Sequence, residues 1–260
     1  MKFGCCCTYK NYNDVAKMSF DYMELSASEI MALSDDAFLQ LTSNVQQGTL
    51  PILGFNDYCK NSPVMVGDAF DEEAIRKYAN GVMSRGAKLG IKTVGVGAPS
   101  IRKLPKDYSK DIADQQSKRF LEILLEEAKP YALTVLFESV HQHMCDYCTT
   151  FSESAEIVKR INNPALALVA DFYHLQVMEE PAASVIPVLP LVRHIHISGC
   201  DKNYGRPYPS EKDIPYLTEI MWILNHADQE FCVSLECNAA DFHADAKDAL
   251  HLLKRVAGVS

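Results

Sequence analysis

The sequence lacks any long hydrophobic segment. No run approaches the roughly eighteen apolar residues that a membrane-spanning helix needs. The first residues, MKFGCCCTYK, contain one early lysine and no apolar region long enough for a signal peptide. We therefore expect a cytoplasmic protein with no membrane partner.

Positive charge is also scarce. The 260 residues contain 25 Lys and Arg against 34 Asp and Glu, which gives a formal net charge of −9. Nucleic-acid binding depends on clusters of Lys and Arg that neutralise phosphates. We therefore expect no nucleic-acid partner, and the same charge argues against docking on anionic lipid.

The nine cysteines do not indicate disulfide bonds. Their number is odd, and Cys5, Cys6 and Cys7 are adjacent. Neighbouring residues of a strand point to opposite faces, so they make poor disulfide partners. We predict free thiols, which are typical of a reducing compartment.

Short apolar runs alternate with longer segments of helical period along the whole chain. The strand candidates lie at residues 3–7, 21–25, 51–55, 92–97, 133–138, 166–171, 192–198 and 232–236. The helix candidates lie at 71–90, 109–129, 152–162, 213–227 and 243–258, the third beginning at Ser152 or Ser154. This alternation has no break in composition. It predicts an α/β protein with one domain over residues 1–260, a (β/α)8 TIM barrel.

The alternative fold is a doubly wound open sheet. That fold usually has a glycine-rich turn after its first strand. The segment CCCTYKNYND contains no glycine, so the barrel is favoured.

Acidic or imidazole side chains mark the ends of the last four predicted strands, and a TIM barrel has its active site at this edge. Glu138, Asp171 and Glu236 each follow an apolar run, and strand seven carries His194 and His196. We expect only one of these histidines to point into the barrel. We choose His196 because it lies nearer the strand end, and we expect His194 to pack against helices.

Three carboxylates that converge on one cavity repel each other unless a cation neutralises them. Three carboxylates and one imidazole suit Mn²⁺, Co²⁺, Mg²⁺ or Zn²⁺. The pattern therefore predicts one divalent metal ion at the barrel mouth.

Five motifs carry a resemblance to a known family. Strands five to eight end in the motifs FES, DFYH, HIHIS and SLE, in that order. The fifth motif, VGVGAPSIRKLP, lies at strand four. Together they resemble the sugar-phosphate isomerase/epimerase family with a xylose-isomerase-like TIM barrel. That family includes ketose 3-epimerases, hydroxypyruvate isomerases, inosose dehydratases and the endonuclease IV group. The resemblance spans almost the whole chain and is clearest from residue 92 onward.

The resemblance implies a ligand set and a mechanism. Glu138, Asp171, His196 and Glu236 would bind the ion, and Glu138 and Glu236 would act as acid and base on opposite faces of a sugar. The ion would polarise a carbonyl and its neighbouring hydroxyl and stabilise an enediolate while one glutamate removes the α-proton.

The resemblance also implies substrate contacts. His174, three residues after Asp171, would contact substrate hydroxyls, and Arg206 would bind substrate, although it lies farther along the chain than in the ketose epimerases. His141 stands where a family asparagine often lies, and PYPSEKD replaces the usual proline-glycine-x-glycine segment. Because of these departures, the resemblance does not identify the substrate.

Two further features have competing interpretations. HQHMCDYC, residues 141–148, holds imidazoles and thiols, which zinc prefers, but it is short and has no second cysteine pair. We predict a lid loop from which His141 or His143 reaches the substrate. Arg102 is expected to bind a substrate phosphate or to pair with acids.

The favoured function is a metal-dependent isomerase or epimerase of a small ketose, sugar phosphate or related polyol. The alternatives are a lyase or dehydratase on a sugar or inositol derivative, and a non-catalytic sugar-binding barrel. A repair endonuclease is disfavoured, because KTVGVG has no histidine, no Asp-x-His follows His196, and the isoelectric point is near 5.4. Homo-oligomerisation stays open.

Overall fold

Eight parallel strands form a closed barrel in the computed structural model, which describes residues 1–238 and 241–259. Each strand pairs with its neighbour in sequence, and β8 closes the barrel on β1. The TIM barrel prediction is confirmed, and every predicted strand bound lies within one residue of the observed one. The strands are β1 Lys2–Cys6, β2 Tyr22–Ser26, β3 Ile52–Asn56, β4 Thr93–Val96, β5 Thr134–Phe137, β6 Leu166–Asp171, β7 Val192–Ile197 and β8 Cys232–Leu235.

Helices connect the strands on the outside of the barrel. Their described bounds are α1 Tyr12–Val15, α2 Ala27–Met31, α3 Asp35–Gln47, α4 Glu72–Leu89, α5 Lys110–Ala128, α6 Phe151–Ile161, α7 Phe172–Val177, α8 Ile214–Asn225 and α9 Phe242–Ala257. None of the described helices has the length and hydrophobicity of a membrane span. All nine cysteines are free, as predicted.

Local capping chemistry fixes most of the helix ends. The Asp71 side chain accepts hydrogen bonds from the first-turn amides of α4, and the helix stops at Gly90, whose φ of 79° suits glycine. For α6 the predicted start was wrong. The cap is Thr150, which forms a reciprocal capping box with Glu153, so Ser152 already lies inside the first turn.

The barrel wall separates two apolar regions. Outward-facing strand residues pack against the helices in one large core. Inside the barrel, a small apolar cluster of Leu136, Ala167 and Val169 fills the space below the mouth. The next inward positions along the same strands are occupied by Glu138 and Asp171, so the apolar cluster forms the floor of a polar site.

Candidate metal centre

The structure brings the four predicted ligands together at the carboxyl end of the barrel. Asp171 and His196 are paired across β6 and β7, while Glu138 and Glu236 directly follow β5 and β8. One ligand atom from each residue lies within 4.8 Å of all the others. The His196 Nδ1 atom lies 3.1 Å from the Glu138 Oε1 atom and 3.2 Å from the Glu236 Oε2 atom.

This arrangement fits a divalent ion. Ligand bonds of about 2.0–2.2 Å keep neighbouring ligand atoms about 3 Å apart, close to the separations observed around His196 Nδ1. The Glu138, Asp171 and His196 side chains are buried, and the Glu236 side chain is 23% exposed. Burying an ionised carboxylate costs several kcal/mol unless a cation or hydrogen-bond donor is its partner. A divalent ion among these three carboxylates would supply that partner.

Arg206 supplies one positive charge to the cluster. Its Nη2 atom lies 2.8 Å from the Asp171 Oδ2 atom and 2.7 Å from the Glu236 Oε2 atom. Its guanidinium lies 4.4 Å above the Tyr173 ring. Its Nε has no hydrogen-bond partner in the described part of the chain, so one buried donor remains for a ligand.

The two glutamates have opposite electrostatic environments. Burial raises the pKa of Glu138 to about 7. Burial also opposes ionisation of Glu236, but Arg206 and His196 outweigh it and hold the pKa of Glu236 well below its usual range. Near neutral pH, Glu138 can therefore hold a proton while Glu236 stays ionised.

Two residues without a sequence-level assignment shape this site. A Cβ atom on Gly97 would overlap the Glu138 carboxylate, so glycine leaves the space that this side chain occupies. The Asn56 side-chain amide donates a hydrogen bond of 3.1 Å to Glu236 Oε1. Neither was predicted as a site residue, because glycine carries no functional group and Asn56 ends β3, a strand without a recognised motif.

His174 and His141 form a buried wall beside the cluster. The backbone N–H of His141 donates to His174 Nδ1, so the proton of His174 is on Nε2, 3.5 Å from Asp171 Oδ2. The Tyr173 hydroxyl donates to the Tyr204 carbonyl, so it accepts from His141 Nε2. The His141 Nδ1 lone pair then has no partner among the described residues.

The remainder of HQHMCDYC lies away from the cluster. His143 stacks on Tyr204 with ring centroids 4.4 Å apart. Cys145 donates its thiol proton to the Val140 carbonyl, and Cys148 is buried in the outer core. Neither thiol belongs to a candidate metal-ligand group of the described residues.

The prediction for His194 was wrong. Its Nε2 atom lies 2.6 Å from the Oε1 atom of Glu24, on the far side of the barrel interior, so His194 points inward like His196. Residues two apart on a strand share a face, which allows both side chains to enter the barrel. Glu24 itself was missed, because it lies within β2 rather than at its end.

Of the two interpretations of Arg102, the pairing with acids was wrong. The side chain is fully buried, and its guanidinium lies 4.7 Å above the Phe137 ring. Its Nη2 donates to the Val96 carbonyl, and no acidic side chain of the described residues lies within ion-pair distance. Its Nε and Nη1 atoms have no hydrogen-bond partner among the described residues.

A sequence comparison matches the family described as the xylose isomerase-like TIM barrel over residues 12–256. No curated protein matches the sequence.

Three solved structures share the fold at low sequence identity. A D-psicose 3-epimerase crystallised in the presence of D-fructose is 20% identical, with a TM-score of 0.83 over 99% of this chain and 100% of its own. The E. coli 3-keto-D-glucoside 4-epimerase YcjR is 19% identical, with a TM-score of 0.77 over 98% and 99% of the two chains. The IolI protein crystallised with a zinc atom is 20% identical, with a TM-score of 0.75 over 98% and 96%.

Proposed function

The chain belongs to the xylose isomerase-like TIM barrel family, and we propose that it is a divalent-metal-dependent isomerase or epimerase of a small ketose, sugar phosphate or related polyol. One observation carries the proposal. Two glutamates, Glu138 after β5 and Glu236 after β8, both lie close to the same nitrogen of His196 within a group of four potential metal ligands.

A divalent ion held by Glu138, Asp171, His196 and Glu236 would polarise a substrate carbonyl and its neighbouring hydroxyl. The two glutamates move the proton. One carboxylate takes the proton from the carbon next to the carbonyl, and the other carboxyl group returns a proton to the opposite face. Because β6 and β7 separate β5 from β8, the two carboxylates approach the mouth from different strands, and a sugar bound beside the ion would be within reach of both.

Three side chains would orient the sugar. Arg206 has a buried N–H without a partner among the described residues, which suits a substrate oxygen. The free lone pair of His141 Nδ1 suits a hydroxyl donor. His174, which burial keeps neutral by lowering its pKa to about 3, lies between His141 and Asp171 and supports both.

The structural neighbours support a sugar substrate. One is a D-psicose 3-epimerase crystallised in the presence of D-fructose, and another is a 3-keto-D-glucoside 4-epimerase. The neighbour with a zinc atom supports a metal-dependent reaction. We therefore place D-psicose, D-fructose and their phosphates first among the substrates to test.

Proton exchange with solvent tests the proposal. The purified protein, supplied in turn with Mn²⁺, Co²⁺, Mg²⁺ and Zn²⁺, is incubated with these ketoses in D₂O. Mass spectrometry and NMR then measure deuterium at the carbon next to the carbonyl. We expect exchange together with formation of the epimer or isomer. Loss of water from the sugar would instead indicate a lyase.

The matched variants are Glu236→Gln and Glu211→Gln. Glu211 is an exposed glutamate that pairs with Arg255 outside the mouth. Loss of a general acid or base costs about 10² to 10⁴ in rate, so Glu236→Gln is expected to lose exchange by that factor while Glu211→Gln keeps it. Full exchange in Glu236→Gln would remove this residue from the mechanism.

A further inference from the structure

A buried carboxylate lies below the candidate metal centre. Glu24 is 2% exposed and sits in the middle of β2, paired with Cys6 of β1. Its Oε1 atom faces the Nε2 atoms of His194, at 2.6 Å, and His196, at 3.5 Å. The Ser234 hydroxyl also donates to it. An ionised carboxylate at this depth needs such partners, because removing it from water costs several kcal/mol.

The two ring nitrogens of His196 face different groups. Nδ1 faces the carboxylates of Glu138 and Glu236 at the mouth. Nε2 points into the barrel, where the groups near it are Glu24 and the Cys6 thiol, the latter at 4.0 Å. Of these two groups, the carboxylate is the stronger hydrogen-bond acceptor.

Metal binding requires a free lone pair on the coordinating nitrogen, so the single proton of a neutral ring must sit on the other one. With Nδ1 directed at the ligand set, that proton sits on Nε2, opposite Glu24. A carboxylate behind a ligating histidine fixes the tautomer, holds the ring and increases its basicity. His194 Nε2 lies 2.6 Å from the same Oε1 atom of Glu24.

We propose that Glu24 is a positioning residue for the metal centre: it holds His196 with its proton on Nε2 and its Nδ1 lone pair toward Glu138 and Glu236. The inference rests on the proposed function, since it concerns the same metal site. It adds a residue from β2, on the far side of the barrel, to a centre whose ligands come from β5 to β8.

Metal affinity tests the proposal without any sugar. Zn²⁺ binding to the wild type, Glu24→Gln and Cys6→Ser is measured by competition with a chromophoric chelator, and circular dichroism checks each fold. Glu24→Gln is expected to bind Zn²⁺ about 10- to 100-fold more weakly than the wild type. Cys6→Ser changes the other group near Nε2 and is expected to retain the wild-type affinity.

Each other outcome has a distinct meaning. Equal affinity in Glu24→Gln and wild type overturns the positioning role and leaves the proposed function intact. Two ions per wild-type chain, with the second lost in Cys6→Ser, would show that Glu24 and Cys6 are themselves ligands and would overturn it too. A wild type that binds no ion overturns the proposed function and the positioning role together.

A spectroscopic test does not depend on the folding of the Glu24 variant. The wild type is labelled with ¹⁵N-histidine and loaded with Zn²⁺, and the His196 signals are assigned by their loss in His196→Gln. Long-range ¹H–¹⁵N correlations report which nitrogen carries the proton. A proton on Nε2 is expected, and a proton on Nδ1 with zinc on Nε2 would overturn the proposal.

Discussion

At the scale of single residues, the Glu138 carboxylate has room in the site because Gly97 has no side chain. Gly97 immediately follows β4, and a Cβ atom there would overlap Glu138 Oε2. The Glu138 side chain can swing aside, so the fold would survive a larger residue. The carboxylate would then leave the position in which it faces His196 Nδ1.

Gly97→Ala is therefore expected to fold and to lose metal affinity about 10- to 100-fold, the usual cost of displacing a group that a metal centre needs. Gly81→Ala is the matched control. Its added methyl group would meet only the flexible end of Met31 on the outside of the barrel. Zn²⁺ competition measures both variants, and wild-type affinity in Gly97→Ala would show that the Glu138 position does not matter.

Single residues also mark the limit of prediction from sequence. Glu138, Asp171 and Glu236 were found because each ends an apolar strand, and strand ends meet at one rim. Glu24 has apolar neighbours on both sides within β2, so nothing local distinguishes it from an accidental polar residue. Its partners, His194 and Ser234, lie about 170 to 210 residues away and become neighbours only when the barrel closes.

At the scale of elements, the segment HQHMCDYC is anchored to α5. The Tyr147 hydroxyl donates a hydrogen bond of 2.8 Å to Asp114, which also pairs with Lys110. Burial opposes ionisation of Asp114, but the bonds from Lys110 and Tyr147 outweigh it and lower its pKa. The loop that carries His141 is thereby held against a helix outside the barrel.

Tyr147→Phe is expected to lower the free energy of unfolding by about 1 to 3 kcal/mol at pH 7, the cost of a hydrogen bond to a charged group. Because the folded pKa of Asp114 lies below the unfolded value of about 3.9, this stabilisation is present above that value. It is lost as the pH falls through the folded pKa.

Urea unfolding between pH 7 and about pH 3 measures the effect. The difference between Tyr147→Phe and the wild type should shrink toward the acid end. Tyr131→Phe, at an exposed tyrosine, is the control and should match the wild type throughout. A difference that stays constant with pH would mean that the Asp114 carboxylate is not the partner that matters.

Elements were predicted more reliably than loops, for a physical reason. Strands and helices repeat every 2 or about 3.6 residues, so their apolar periodicity is present in the sequence. The loop after β7 has no such period. Its turn forms because Asp201 accepts from the backbone amides of Asn203 and Gly205, and this turn brings Arg206 to the rim despite its unusual spacing.

At the scale of the whole molecule, the candidate centre joins four strands. Its ligands follow or end β5, β6, β7 and β8, so an ion bound there connects half of the barrel. A ligand that binds only the folded state stabilises it by about 2.7 kcal/mol at a hundredfold excess over its dissociation constant.

Metal removal is therefore expected to lower the melting temperature by about 5 to 10 °C for a chain of this size. Thermal unfolding is followed by circular dichroism with excess Mn²⁺ and after chelation with EDTA. The Glu138→Ala/Asp171→Ala double variant should melt at the same temperature under both conditions. An equal shift in that variant would place the stabilising ion elsewhere.

The most direct test of the account is the metal content of the purified protein, measured by elemental analysis beside the same double variant. We predict about one divalent ion per wild-type chain, of the kind that oxygen and imidazole ligands favour, and none in Glu138→Ala/Asp171→Ala. No ion in the wild type, even after addition of Mn²⁺ or Zn²⁺, would contradict the account, because the four residues at the barrel mouth would then not be a metal centre.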